Sequence, residues 1–234
     1  MTKSRIRIGR QGRVLTISLD RPEKRNAIDT DMSSELLAAL DAGSHDASVG
    51  CIVLRGEGKI FCAGRDITVP PTDAELHLVQ AVSQEIVGSP KPVLASVHGW
   101  AVGAGFEWML NADLVVVAEG TRFRLPEATL GVFVTGGLSV TLAASIGLAR
   151  AKALMLLGDT FTAGDAHDWG LLWKIVEDDK LVTESGLLAA RLAALNPVVS
   201  QQFKRTLNTL GLAAFDRAVQ LENDAHRVIA ASIA

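Results

Sequence analysis

The stretch GWAVGAGFEWML, residues 99–110, decides how the rest of this chain is read. An apolar approach gives way to Gly103, Ala104 and Gly105, and then to a run compatible with a helix. A strand therefore turns almost directly into a helix. The first four N–H groups of a helix have no internal acceptor and lie at the positive end of its dipole. Small residues at such a junction let an outside oxygen approach the backbone. The segment is not a dinucleotide fingerprint, because Trp108 stands where a third glycine would be needed. On its own it reads more readily as a tight glycine-rich turn.

Outward from this segment the chain alternates between strand and helix patterns. RIRIGRQGRVLTISLD alternates polar and apolar residues around Gly12 and predicts a hairpin. After the loop RPEKRNAID, Thr30 or Asp31 can cap a helix with Met32, Leu36, Leu37 and Leu40 on one face. CIVLRG (51–56), PVLASVHG (92–99) and DLVVVAEG (113–120) are apolar strands, and TRFRL is a short fourth. AELHLVQAVSQEIVG reads as a second helix. From Leu138 onward the pattern is mostly helical. Continuously apolar strands separated by helices predict a largely parallel sheet covered by helices.

Composition narrows the function classes. The 234 residues are 48% hydrophobic, enough for one sizeable core, and the net charge of −3 gives no reason to expect nucleic acid or an anionic membrane. Two cysteines, Cys51 and Cys62, are too few for a disulfide framework, and both read as packing. His98 reads as structural. His45, His77, His167 and His226 show no metal-ligand spacing, so no metal is expected. No run reaches transmembrane length and the first residues lack an apolar signal core, so a soluble, cytoplasmic protein is expected.

A second glycine-bearing segment, KIFCAGRD, follows the strand at 51–56, and Gly64 there permits a positive φ that leaves neighbouring N–H groups facing outward. RPEKRNAID, FCAGRDI, HGWAVGAGFEWMLNADLVVVAEGTRFRLPEATLGV and GLARAKALMLLGDTFTAGDAHDWGLLWKIVE occur in that order. Together they resemble the enoyl-CoA hydratase/isomerase, or crotonase, family from about residue 5 to 225. The resemblance implies an α/β fold, a ββα spiral of parallel sheets covered by helices. Residues 1–190 would form the core with an acyl-CoA site, and 191–234 a helical C-terminal region that assembles trimers or hexamers. Coenzyme A would enter as part of the substrate, with no separate cofactor.

Carried over by position, the backbone N–H groups of Arg65 and Ala104 would hold a thioester oxygen. Glu107 and Glu127 match the two acids that flank the water in hydratases, with Glu127 serving Cα and Glu107 the water. Lys24, Arg25 and Ala27 would line the CoA side, as would Asp66, Ile67 and Thr68, with Ala63 and Gly103 beside the reacting group. Trp100, Trp108, Phe133 and the aliphatics of GVFV are candidates for the acyl pocket, whereas Trp169 and Trp173 read as packing. Two departures bear on substrate: Val134-Thr135 replaces a Pro-Gly pair common in relatives, and the connector TVPPTDAELH is short enough to leave the lid small or open. The sequence ends at AHRVIAASIA, where relatives usually continue into an acidic segment and helix that often contribute to the CoA site. Hydration of a 2-enoyl-CoA is the expected reaction. Isomerisation or carbon–carbon hydrolysis by the same enolate, or a non-catalytic binding role, are the alternatives.

Overall fold

Short apolar strands with glycine between them fold here into two sheets. The computed structural model describes residues 4–68 and 72–233. Strands β1 (Ile6–Gln11) and β2 (Val14–Leu19) form the hairpin, with Gly12 at φ +55° in the two-residue loop. Helix α1 (Thr30–His45) follows. Its N-cap is Asp29, one residue before the caps predicted, and the Asp29 carboxylate accepts from the Met32 N–H at 2.9 Å. Next come β3 (Cys51–Gly56), α2 (Asp73–Gly88) and β4 (Val93–Val97). Of the connector expected to leave a small or open lid (68–77), residues 69–71 lie outside the described residues, and from Asp73 onward it is the start of α2, capped by Thr72.

The opening segment divides into β5 (Trp100–Val102) and α3 (Ala104–Leu110), with Gly103 between them. Beyond it lie β6 (Leu114–Ala118), β7 (Arg122–Arg124) and the single-turn α4 (Glu127–Leu130). The remainder runs α5 (Leu138–Ile146), α6 (Leu148–Leu157), β8 (Thr160–Thr162), α7 (Ala163–Asp168) and β9 (Lys174–Val176). Helices α8 (Leu181–Ala193), α9 (Pro197–Gly211) and α10 (Phe215–Ile233) complete it. Residue 190, the expected division between core and C-terminal region, lies within α8.

The main sheet has the order β1-β2-β3-β4-β6-β9, parallel throughout except for the β1–β2 hairpin. A second sheet has the order β5-β7-β8. Strands β5, β8 and β9 are three residues each, too short to show a period in sequence, and β8 and β9 lie in the stretch read as helical. Both faces of the central strands β3, β4 and β6 are covered, which is why they are apolar without alternation. One face carries the main core, including Ile52, Leu54, Ala95 and Val97. On the other, α8 lays Leu181, Ala189 and Ala193 against Cys51, Val53, Leu94 and Val116.

Two tryptophans differ from expectation. Trp108 is fully buried, its Nε1–H donating to the Val79 carbonyl at 3.2 Å, so it is core and not acyl pocket. Trp173 is 63% exposed instead of packed. Trp169 does pack, beside Phe161 and under the Arg150 guanidinium.

Candidate active site

Three backbone rungs bring the two glycine-bearing segments together. The Phe61 N–H donates to the His98 carbonyl at 2.9 Å, Cys62 N–H to Trp100 at 3.0 Å, and Val102 N–H back to Cys62 at 3.0 Å. Cys62 itself is sealed in this seam; burial pushes its thiol up to about 12, consistent with a packing role. On the far side, the Ile28 N–H donates to the Gly64 carbonyl and the Asp66 N–H to the Ile28 carbonyl, each at 2.8 Å. This bridge uses the groups either side of Arg65, so the pleat turns the Arg65 N–H the other way, where no acceptor among the described residues takes it. The Ala104 N–H, first in α3, likewise has no acceptor among them.

Those two N–H groups belong to corners in close contact. Gly64 has φ +85°, and a Cβ there would stand 2.9 Å from the Val102 carbonyl oxygen and 3.7 Å from the Ala104 nitrogen. Gly103 has φ +52° and ψ −128°, a region open to glycine alone. A Cβ on Gly103 would meet Glu127 Oε1 at 2.6 Å. The Glu127 carboxyl therefore rests on the turn that presents the Ala104 amide. Its Oε2 is buried with no hydrogen-bond partner among the described residues. Burial raises the Glu127 pKa above the ordinary carboxylate value, opposed by its own backbone amide and by the Arg65 charge.

Glu107, on the first turn of α3, is 1% exposed. Its carboxyl accepts from the Thr135 N–H at 3.1 and 3.2 Å and from the Gly136 N–H. Burial first, then the charges of Glu222 and Glu127, hold its pKa well above the ordinary value, against the pull of the two amides. Glu222 enters from α10. It is completely buried and accepts from the Gly137 N–H at 2.8 Å and the Ser139 N–H at 2.9 Å. One run of amides, residues 135 to 139, thus holds two glutamates side by side. The departure Val134-Thr135 lies at the start of this run. His226, one turn further along α10, meets Thr135 Oγ1 at 3.5 Å and the Phe133 ring edge-on. Sequence reasoning assigned neither Glu222 nor His226 a place in the site. Their only signal is a shared face, four residues apart on one helix.

A cavity of about 1360 Å³ opens over these groups. Glu107, Glu127, Gly103 and Ala104 line it together with Ala63 and Arg65. Lys24, Arg25 and Ala27 form its wall at a 3-10 turn, where Arg25 has φ +55°. Asp66, Ile67 and Thr68 continue the wall. Asp66 is structural as well: it takes Arg21 at 2.8 Å and Thr68, and these bonds hold its pKa down to about 2. Ile67 is 74% exposed at the rim. All twelve residues singled out from the sequence therefore meet in one place. Lys59 and Arg124, not singled out, also line it, as do Trp100 and Phe133. Among the described residues no cluster of histidine, cysteine or acid is placed to hold a metal ion.

This α/β spiral, with a glutamate pair over two outward-facing amides, is the crotonase fold. The sequence profile of the family described as Enoyl-CoA hydratase/isomerase matches residues 9–231, and the chain belongs to that family. The 1,2-epoxyphenylacetyl-CoA isomerase of Escherichia coli K12 is 32% identical, the match covering 92% of this chain and 86% of that protein. A probable enoyl-CoA hydratase of Rhizobium meliloti is 35% identical over 85% and 79% of the two chains. The crystal structure of an enoyl-CoA hydratase from Mycobacterium avium subsp. paratuberculosis superposes with a TM-score of 0.93 at 27% identity, covering 98% of this chain and 95% of that one.

Proposed function

We propose that the protein hydrates a 2-enoyl-CoA thioester to the 3-hydroxyacyl-CoA. The observation that carries this reading is the Glu127 carboxyl, buried against the Gly103–Ala104 turn with one oxygen unpartnered. The thioester oxygen accepts from the Arg65 and Ala104 N–H groups, which form an oxyanion hole. Donors fixed in advance stabilise the charge that grows on that oxygen as the enolate forms; losing one costs roughly 3–4 kcal/mol of barrier. Water held at Glu107 in its carboxylate form, which the Thr135 and Gly136 amides support, forms the new oxygen–Cβ bond and gives its proton to that carboxylate. Glu127, whose neutral form burial favours, delivers its proton to Cα as the enolate collapses. Proton exchange between the two glutamates and solvent restores the starting state. The CoA chain leaves past Ala27 and Asp66–Thr68 to the cations of Lys24, Arg25 and Lys59.

A second reading has one specific support. The Glu107 carboxyl is already engaged by two amides, whereas Glu127 has a free oxygen. Glu127 alone, removing and returning a proton along the acyl chain, would make the protein a double-bond isomerase, the other activity in the family's description. No cofactor beyond the CoA of the substrate enters either scheme. A homotrimer or homohexamer in the cytoplasm fits both, and no described helix is long and apolar enough to cross a membrane.

Loss of enoyl absorbance from crotonyl-CoA, with 3-hydroxybutyryl-CoA identified by mass, is the expected result. Glu127→Gln should lower kcat by at least about a hundredfold, in keeping with the weight of a general acid. Unchanged hydration in that variant removes Glu127 from its role. A shifted double bond with no mass gain selects the isomerase.

A further inference from the structure

Beyond Arg65 the main cavity opens into a second chamber of about 590 Å³. The two share Arg65, Asp66, Ile67, Thr68, Leu130 and Val132. Ile28 and Val79 add apolar surface to the inner chamber. Most of its charged side chains are already matched. Arg21 faces Asp29 at 3.4 Å and Asp66 at 2.8 Å. Asp29 also takes Arg5 at 3.0 Å and caps α1. The Glu75 carboxylate accepts from Thr30 Oγ1 at 2.7 Å and from the Thr72 N–H at 2.8 Å.

Arg65 is the exception. It is half-buried where the chambers meet, and its guanidinium has no ion pair or hydrogen bond among the described residues. The acids within electrostatic reach, Glu107, Glu127 and Glu75, support its charge from a distance, while burial works against it. Two of those acids are themselves pushed toward the neutral form by burial. From α10, His226 feels the Arg65 charge, which with burial lowers its pKa and favours the neutral ring. A fork of five donors at the junction of two cavities is thus left for whatever occupies them.

We infer that Arg65 binds a carboxylate on the acyl group, so that the preferred substrates are CoA thioesters of dicarboxylic, rather than simple fatty, 2-enoic acids. This rests on the acyl-CoA reading above and names the substrate class of the same site. In that reading the backbone N–H of residue 65 holds the thioester oxygen, and the side chain of the same residue lines both chambers. One residue would thereby set both the reacting carbonyl and the distal anion. A carboxylate suits the guanidinium because it accepts two parallel N–H bonds and neutralises a charge that water reaches poorly. A methyl-ended chain leaves that charge desolvated and unpaired, which disfavours it.

The test uses 2-enoyl-CoA thioesters of increasing length, each made twice, once ending in methyl and once in carboxylate. At one length the carboxylate twin should exceed its methyl twin in kcat/KM by at least about tenfold, the value of one charge-assisted hydrogen bond. In Arg65→Met the ratio should fall to about one or below, and in Arg65→Lys it should persist in part. The ratio is internal, so a general loss of folding or turnover cancels from it. Calorimetric binding of the saturated twins gives the same ratio without turnover. A ratio near one at every length in the unmodified protein overturns the proposal, as does one that survives in Arg65→Met. If neither set is turned over but the carboxylate twins still bind preferentially, the substrate class stands and the hydratase reading fails.

Discussion

At the scale of single residues, the site depends on glycines that cannot be replaced. Gly103 combines a backbone conformation that side chains rarely adopt with a Cβ position already occupied by the Glu127 carboxyl. Gly103→Ala must therefore either displace Glu127 or twist the turn that presents the Ala104 amide. A stability loss of about 1–3 kcal/mol is expected from backbone strain. The catalytic loss should be larger, because the proposed hole and the proposed acid would move together: kcat should fall at least about a hundredfold, with KM changing less. Thermal unfolding and steady-state kinetics on the same preparation check both parts. A variant that keeps kcat while losing only stability would mean that the turn does not position the reacting groups. Gly64 was legible from sequence because a sharp turn calls for a positive φ, which glycine supplies without steric cost, and Gly103 because small residues at a strand-to-helix junction let an outside oxygen reach the backbone. The Arg65 side chain was not, since an arginine in a loop reads as a solvated charge until its neighbours are known.

At the scale of elements, helix α10 is joined to the chemistry through one buried carboxylate. Glu222 and Glu107 share the amides of residues 135–139, and the Glu222 charge is one cause of the raised Glu107 pKa. Glu222→Gln removes that charge while keeping an acceptor for one amide. With a neighbouring negative charge gone, the Glu107 pKa moves down toward the ordinary carboxylate value. If Glu107 must be ionised to take the proton from water, the acid limb of the kcat/KM profile moves to lower pH. Stability should fall by about 1–3 kcal/mol, because the Gly137 or Ser139 N–H is left without its acceptor. A destabilised variant whose acid limb stays in place would reduce Glu222 to a structural cap. The elements themselves were largely readable: hairpin, apolar strands and the two early helices follow from period and turn residues. Strands β8 and β9 were hidden by their length and by the helical pattern around them, and the α10 contribution by distance along the chain, which no local pattern records.

At the scale of the whole molecule, α9 is amphipathic the wrong way round for a single chain in water. Its inward side is polar: Lys204 reaches Asp113 at 2.9 Å and the Ile86 carbonyl at 2.9 Å, and Asn208 donates to the Val87 carbonyl. Its outward side carries Val199, Phe203, Leu207 and Leu210, with Phe203 68% and Leu210 77% exposed. Spacings of three and four residues place these four in one stripe. Exposed Leu156 and Leu157 on α6 and Leu221 and Val228 on α10 enlarge the apolar surface. Isolated apolar residues on a surface are ordinary, but a continuous helical stripe calls for a cover. The proposed trimer or hexamer would supply that cover with a second copy of this chain, and a stripe with hardly any charge offers little to an acidic or basic partner. Light scattering should then give a mass of three or six chains. Phe203→Glu with Leu207→Glu should reduce it to one, since charges at the centre of such a contact are desolvated without partners. Both positions are exposed, so the folded chain tolerates them, and a circular dichroism spectrum matching the unmodified protein would establish that. An unmodified protein that elutes with the mass of a single chain would leave the stripe open to water and refute the assembly.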